Sequence, residues 1–231
     1  MENQKSPAQN DSNADAHAQN SGVPVKPKLR GYSHLMASSA ALVAATFLFL
    51  RASGFESKMA SLIYGLSLVF LYTMSGVYHV PNWQPKVRLW LRRIDHSAIF
   101  LLIAGTFTPI CIIALGPSSG SKLLWIVWIV ALIGIIKSFV WINAPKWLVS
   151  LLCAGMGWIS IPYMGELLEK LGTGKFVWLL SGGIVYLIGG LAYAIKRPNF
   201  YPRVFGYHEF FHAMVIAGSF CHFIVVYQLV L

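Results

Sequence analysis

Long apolar runs, broken at intervals by proline, glycine and charge, dominate the chain from residue 31 onward. Seven of them approach the ~20 residues that a helix needs to cross a hydrocarbon core ~30 Å thick: 33–50, 58–80, 95–115, 121–141, 147–165, 175–195 and 207–230. The breaks fall at Gly54, at Pro81 and Pro85, at Gly116-Pro117, at Pro145, at Gly172 and Gly174, and at Pro198 and Pro202. Such residues end helices by freeing φ or by removing a backbone donor. In lipid every backbone polar group needs a partner within the protein, so an open-ended run of this kind is helical. The ~10-residue alternating segments of a transmembrane β-barrel are absent from the pattern. The expected fold class is all-α, a polytopic membrane protein built as a seven-transmembrane helix bundle.

Residues 1–30 break the pattern. Up to Ser21 they are rich in Asn, Gln, Ala, Ser and Asp without apolar periodicity, too little buried surface to offset the entropy of ordering. They are expected to form a disordered cytoplasmic tail ahead of one domain over 31–231. A secretory signal would need a short apolar core and a small-residue cleavage site. Neither is present, so the N-terminus is expected to be retained. Lys26, Lys28 and Arg30 form a basic collar before the first apolar run.

Composition supports the membrane reading: 56% of residues are hydrophobic and 11% charged, too few polar groups to coat a soluble globule of 231 residues. The net charge of +10 has no basic, aromatic-interleaved face on which to bind nucleic acid, and basic loops facing anionic lipid account for it. Of the 18 Lys and Arg residues, Arg51, Lys58, Lys122, Lys170 and Lys175 lie on one side of the seven expected spans and the other thirteen on the opposite side. Positive charge gathers in the cytoplasm, which puts the N-terminus inside and Leu231 outside. Trp83, Trp90, Trp141 and Trp147 fall near the same inner face, as interfacial anchors. Cys111, Cys153 and Cys221 share no metal-ligand spacing and are odd in number, so they read as apolar fillers.

Candidate chemistry emerges when the chain is laid across the bilayer. His208 and His212 are four apart and therefore share one face of the last helix. At the same cytoplasmic depth lie Ser75 and His79 at the end of the second helix, and Asp95 and His96 at the start of the third. Ionisable groups at a membrane boundary are costly and mark a site by default. His222, ten residues beyond His212, lies ~15 Å deeper and falls outside the group. Cys111, sixteen residues beyond Asp95, lies ~24 Å deeper. Three histidines, His79, His208 and His212, would leave one position of a tetrahedral zinc for water, the pattern of catalytic rather than structural sites.

Each residue also has a plainer reading. His79 fits an interfacial polar role, Ser75 a bond to the carbonyl of Leu71, and Asp95 an ion pair with Arg92 or Arg93. His34 and His96 lack spacing partners and read as interfacial polar residues.

At these positions the chain resembles the hemolysin III family, the bacterial branch of the progestin and adiponectin receptor group. The resemblance covers residues 31–231. It rests on SGVYH in the second helix, RRIDHSAIFLLIAGTFTP entering the third, GGIVYLIGGLAYAIKRP in the sixth, and FGYHEFFH followed by CHF in the seventh. It implies seven helices in a bacterial inner membrane and zinc held by His79, His208 and His212. Asp95 would hold or polarise the attacking water, with Ser75 supporting it. Kinship to alkaline ceramidases implies membrane lipids as partners and hydrolysis of a lipid amide as the activity. The substrate's identity and the oligomeric state are not implied. Other functions compete. His208-Glu209-Phe210-Phe211-His212 satisfies HExxH, in which the glutamate would be the base of an intramembrane metalloprotease. The family name suggests a pore-forming cytolysin, although no line of charged residues is present to wet a channel. A receptor or sensor would bind the metal without turnover.

Overall fold

The computed structural model describes residues 27, 29–201 and 203–231; most of the expected tail, including Lys5, Lys26 and Lys28, lies outside them. The described elements are helices: α1 (Tyr32–Arg51), α2 (Phe55–His79), α3 (Pro85–Pro109), a π-helical continuation (Ile110–Leu115), α4 (Gly116–Val140), α5 (Lys146–Trp158), a 3-10 turn (Ile161–Tyr163), α6 (Met164–Ile195) and α7 (Tyr207–Val230). No strand occurs among the described residues; Tyr201 and Phe205 form an isolated antiparallel bridge in the loop that leads into α7.

Five helical stretches are long and apolar enough to cross a membrane: Tyr32–Arg51, Phe55–His79, Pro85–Val140, Lys146–Ile195 and Tyr207–Val230. Two of these, at 56 and 50 residues, far exceed the ~20 of a single crossing. Both double back. In the first, Gly116 takes φ 73, a conformation open to glycine, and α3 and α4 then run antiparallel. Trp128 Nε1 donates to Thr108 Oγ1 at 3.2 Å, the Phe100 ring occupies the space a side chain at Gly134 would need, and Arg92 reaches Asn143 Oδ1 at 3.2 Å. In the second, the helix breaks at Gly172 (φ 71, ψ 162), and the Ser150 hydroxyl of α5 donates to the Gly190 carbonyl of α6 at 2.9 Å.

Helix boundaries depart from the apolar runs in an informative way. α3 begins at Pro85, ten residues before the expected start at 95. Proline at the first helical position lacks only a donor that would be unpaired there anyway. The charged turns Lys86–Arg93 continue the helix beyond its apolar part, so Asp95 sits well inside α3. The fifth apolar run, expected to end at 165, leaves helical geometry at Trp158, passes through the Ile161–Tyr163 turn containing Pro162, and resumes to Leu171.

Side chains are distributed as a bilayer requires. Large apolar residues such as Val43, Leu66, Trp125, Ile133, Val140 and Leu191 are exposed; a water-soluble monomer rarely carries so broad an apolar surface. The interior holds two clusters. One joins α1, α2, α3 and α7 around Tyr64, Leu68, Tyr72, Leu102 and Val226. The other joins α3 through α6 around Phe100, Leu123, Val127, Met156 and Leu167. Buried hydroxyls donate back along their own helices, Thr106 to the Leu102 carbonyl at 2.8 Å and Thr108 to Ala104 at 2.9 Å, which satisfies their protons without a partner helix. Glycines bring α6 close to α7. A Cβ at Gly182 would strike the His222 ring, and one at Gly189 would strike Met214. Gly183 faces open space and Gly190 faces α5, so the glycines of this helix divide between faces.

Candidate functional site

The two histidine-bearing helices meet end to end. His79 is the last residue of α2, while His208 and His212 occupy the first two turns of α7. Ring centroids are separated by 4.7 Å for His79 and His208, 5.2 Å for His79 and His212, and 4.6 Å for His208 and His212. One ring nitrogen from each lies within 4.8 Å of the others, and the Nε2 atoms of His79 and His208 are 3.1 Å apart. Two imidazole nitrogens at that spacing share either a proton or a cation. Metal–nitrogen bonds of ~2.0–2.1 Å in tetrahedral geometry put neighbouring ligand nitrogens ~3.3 Å apart, so the arrangement suits one ion. His212 is 2% exposed, and its Nδ1 has no hydrogen-bond partner among the described residues. Three imidazoles, one carrying an orphaned buried nitrogen, form a donor set that fits a metal ion preferring nitrogen ligands.

α3 supplies the carboxylate. Asp95 Oδ2 lies 3.9 Å from His79 Nε2, and the Ser75 side chain, one helical turn before His79, neighbours the Asp95 carboxyl group. The ion pairs considered from sequence are not formed. Arg92 bonds Asn143 and the Ile142 carbonyl, and Arg93 lies over the Trp90 ring at 5.0 Å.

Glu209 is differently employed. Its Oε1 accepts from Arg30 Nε at 2.7 Å, its Oε2 accepts from the Gly206 backbone N–H at 2.8 Å, and the residue is 3% exposed. Both oxygens are thus committed to fixing the start of α7 and to holding the chain before α1 against it. One helical turn further, His34 Nε2 lies 3.2 Å from the His212 carbonyl oxygen, and the two rings stack at 3.9 Å with their planes 9° apart. His34 is buried at 3%, so the interfacial role expected for it gives way to direct packing on a candidate ligand. Residues four apart on either side of the start of α1, Arg30 and His34, meet residues three apart on α7, a match that the sequence does not reveal. Gly31 makes it possible: with φ 85, it brings its backbone against His79, whose Cβ occupies the space a side chain would need.

His79 and His208 open into a cavity of about 610 Å³, with Arg30, Arg88, Arg92, His96, Lys146 and Tyr193 also on its walls. His222 stands apart, near the Leu179 carbonyl at 3.2 Å and edge-on to Tyr186. The cysteines are free thiols, and Cys111 is packed in the second core cluster.

Comparison with known proteins agrees with the motifs. The sequence profile described as Haemolysin-III related matches residues 24–223. The chain is 35% identical over 164 residues to "Hemolysin-3" of Bacillus cereus, covering 71% of this chain and 72% of the relative. It is 33% identical over 186 residues to "Hemolysin-3 homolog" of Bacillus subtilis (strain 168), covering 79% and 84%. It is 23% identical over 202 residues to "Monocyte to macrophage differentiation factor" of Homo sapiens, covering 85% and 81%, a more distant relative in the progestin and adiponectin receptor group. With a family match over most of its length, an all-helical membrane architecture and close bacterial relatives, this chain belongs to the haemolysin-III-related family.

Proposed function

We propose that the protein is a zinc-dependent hydrolase of lipid amides whose site lies at the cytoplasmic face of a seven-span bundle. The observation that carries this reading is the meeting of His79, His208 and His212 with Asp95 on a third helix, beside a cavity at the helix ends. The two longest helical stretches each cross twice in this reading, in keeping with their antiparallel halves. The basic residues at this end, Arg30, Lys86, Arg88, Arg92, Lys146 and Arg197, favour a cytoplasmic orientation of a bacterial inner-membrane protein.

His79, His208 and His212 would hold the ion through neutral imidazole nitrogens. Bound in this way, zinc with an open position supplies an activated water at neutral pH and polarises a carbonyl. Asp95 is the residue suited to take the proton from the attacking water and return it to the leaving amine nitrogen. A carboxylate on a separate helix reaches the site without competing for the histidines' positions. Ser75, beside that carboxylate, is placed to hold it by a hydrogen bond. Glu209 is unsuited to the same task, because Arg30 and the Gly206 N–H already occupy its oxygens; this weighs against the metalloprotease reading of HEFFH.

The test is metal content and turnover of the protein purified in detergent. Elemental analysis should find close to one zinc per chain, and replacing any one of the three histidines by Ala should remove most of it. His222→Ala should leave it intact. A panel of short-chain lipid amides should show fatty-acid release that disappears on chelation and returns with zinc. A metal-free protein of full thermal stability refutes the reading.

A further inference from the structure

We propose that the cavity beside the histidines binds the phosphate of an anionic lipid headgroup, so that the substrate of this site is a phosphate-bearing acyl lipid rather than a neutral one. The inference rests on the hydrolase reading for its catalytic half and on the cavity alone for its binding half. Arg30, Arg88, Arg92 and Lys146 line the cavity, and among the described residues no Asp or Glu does. Arg30 is paired with Glu209, which leaves Arg88, Arg92 and Lys146 as three like charges around one space, and these repel one another unless an anion or water compensates them. The bias of basic residues towards the cytoplasm explains their number at this end but not their convergence.

Three of the four are held in place. Arg92 is fixed by Asn143 Oδ1 and the Ile142 carbonyl, each at 3.2 Å. Lys146 donates to the Tyr207 hydroxyl and sits over the Tyr193 and Tyr207 rings at 4.5 and 4.4 Å, a cation–π arrangement that orients the ammonium without neutralising it. Arg30 spends its Nε on Glu209, one of the five donors of a guanidinium. Arg88 is exposed at the mouth and makes no side-chain hydrogen bond among the described residues. His96 joins the same wall, with a buried Nδ1 that finds no partner among them. Guanidinium forks and an ammonium match the acceptor oxygens of phosphate. About 610 Å³ is ample for a headgroup. Exposed apolar side chains adjoin the lining residues along the chain, Val87 beside Arg88 and Trp147 beside Lys146, a surface along which acyl chains can lie.

The experiment uses the full chain in a neutral maltoside detergent. Binding of short-chain phosphatidic acid, diacylglycerol with the same chains and inorganic phosphate is measured by native mass spectrometry, with zinc quantified on the same samples. Phosphatidic acid should bind at least ~10-fold more tightly than either diacylglycerol or inorganic phosphate, and excess phosphate should compete with it. Arg88→Gln, an exposed change that leaves packing untouched, should reduce the preference several-fold, and Arg88→Gln with Lys146→Gln should abolish it. The control Lys196→Gln with Arg197→Gln removes two exposed charges that do not line the cavity, and should leave the preference unchanged. Equal loss in the control makes the effect bulk charge and overturns the proposal. Inorganic phosphate bound as tightly as phosphatidic acid assigns the cavity to the free ion and overturns the lipid source. No preference in a zinc-replete protein overturns this inference alone, whereas preference retained in a zinc-free protein overturns the hydrolase reading alone.

Discussion

Glu209 is a buried and Asp95 a partly buried carboxylate near the three histidines, yet their contacts predict opposite consequences when each is made neutral. Glu209→Gln preserves shape and one amide oxygen but removes the charge facing Arg30. Unit charges ~4 Å apart interact by ~4 kcal/mol at an effective dielectric constant of ~20. The Arg30 side chain is 26% exposed, so solvent screens part of that, and charge-assisted bonds contribute ~1.5–3 kcal/mol in practice. A loss of about 2 kcal/mol follows, which for a domain of this size lowers Tm by ~4–8 °C. Zinc content and turnover per folded molecule should stay near the parent level. Asp95→Asn removes a desolvated charge that no Arg or Lys among the described residues pairs with, so Tm should hold or rise. Turnover should fall by the ~10²–10⁴-fold typical of a lost general base, with some zinc retained. The assay combines a thermal scan, elemental analysis and fatty-acid release in nanodiscs. An inactive, zinc-replete Glu209→Gln protein beside an active Asp95→Asn protein refutes the assignment and restores the metalloprotease reading.

Reporters fused at Met1 and Leu231 should lie on opposite sides of the membrane, as an odd number of crossings requires; the same sidedness for both disproves the seven-span count. Gly182→Ala, whose Cβ would strike the His222 ring, should cost ~1–3 kcal/mol from overpacking, while Gly183→Ala, with nothing within 4 Å, should be neutral or gain up to ~1 kcal/mol of helix propensity. Equal effects would contradict the packing of α6 on α7. Dye-loaded vesicles containing the purified protein should remain sealed; leakage scaling with protein and absent from a heat-inactivated control would favour the pore reading.

Most of the architecture was legible because lipid imposes a length on every crossing element. Six of the seven apolar runs fall within helical stretches to within a residue, the fifth (147–165) being interrupted after Trp158, and Pro85, Gly116 and Gly172 lie at helix starts or breaks. What the runs could not give was helix length outside the hydrocarbon. α3 extends back through Lys86–Arg93 because a helix continues wherever its backbone bonds are satisfied, irrespective of polarity, and this sets Asp95 inside a helix rather than at its beginning.

The candidate site divides along the same line. His208 and His212 are related by helical periodicity, a local property, so the sequence alone determined that they share a face; depth counting added His79 and Asp95, and excluded His222. Only the tertiary structure decided which neighbour each side chain meets. It gave Glu209 to Arg30 and the Gly206 N–H, Ser75 to Asp95, and His34 to the ring of His212. It also gathered cations from two helices and the turn preceding α1 around one cavity. Such pairings depend on the rotation and offset of helices packed side by side, fixed by close contacts such as Gly31 on His79, and one-dimensional periodicity carries no record of them.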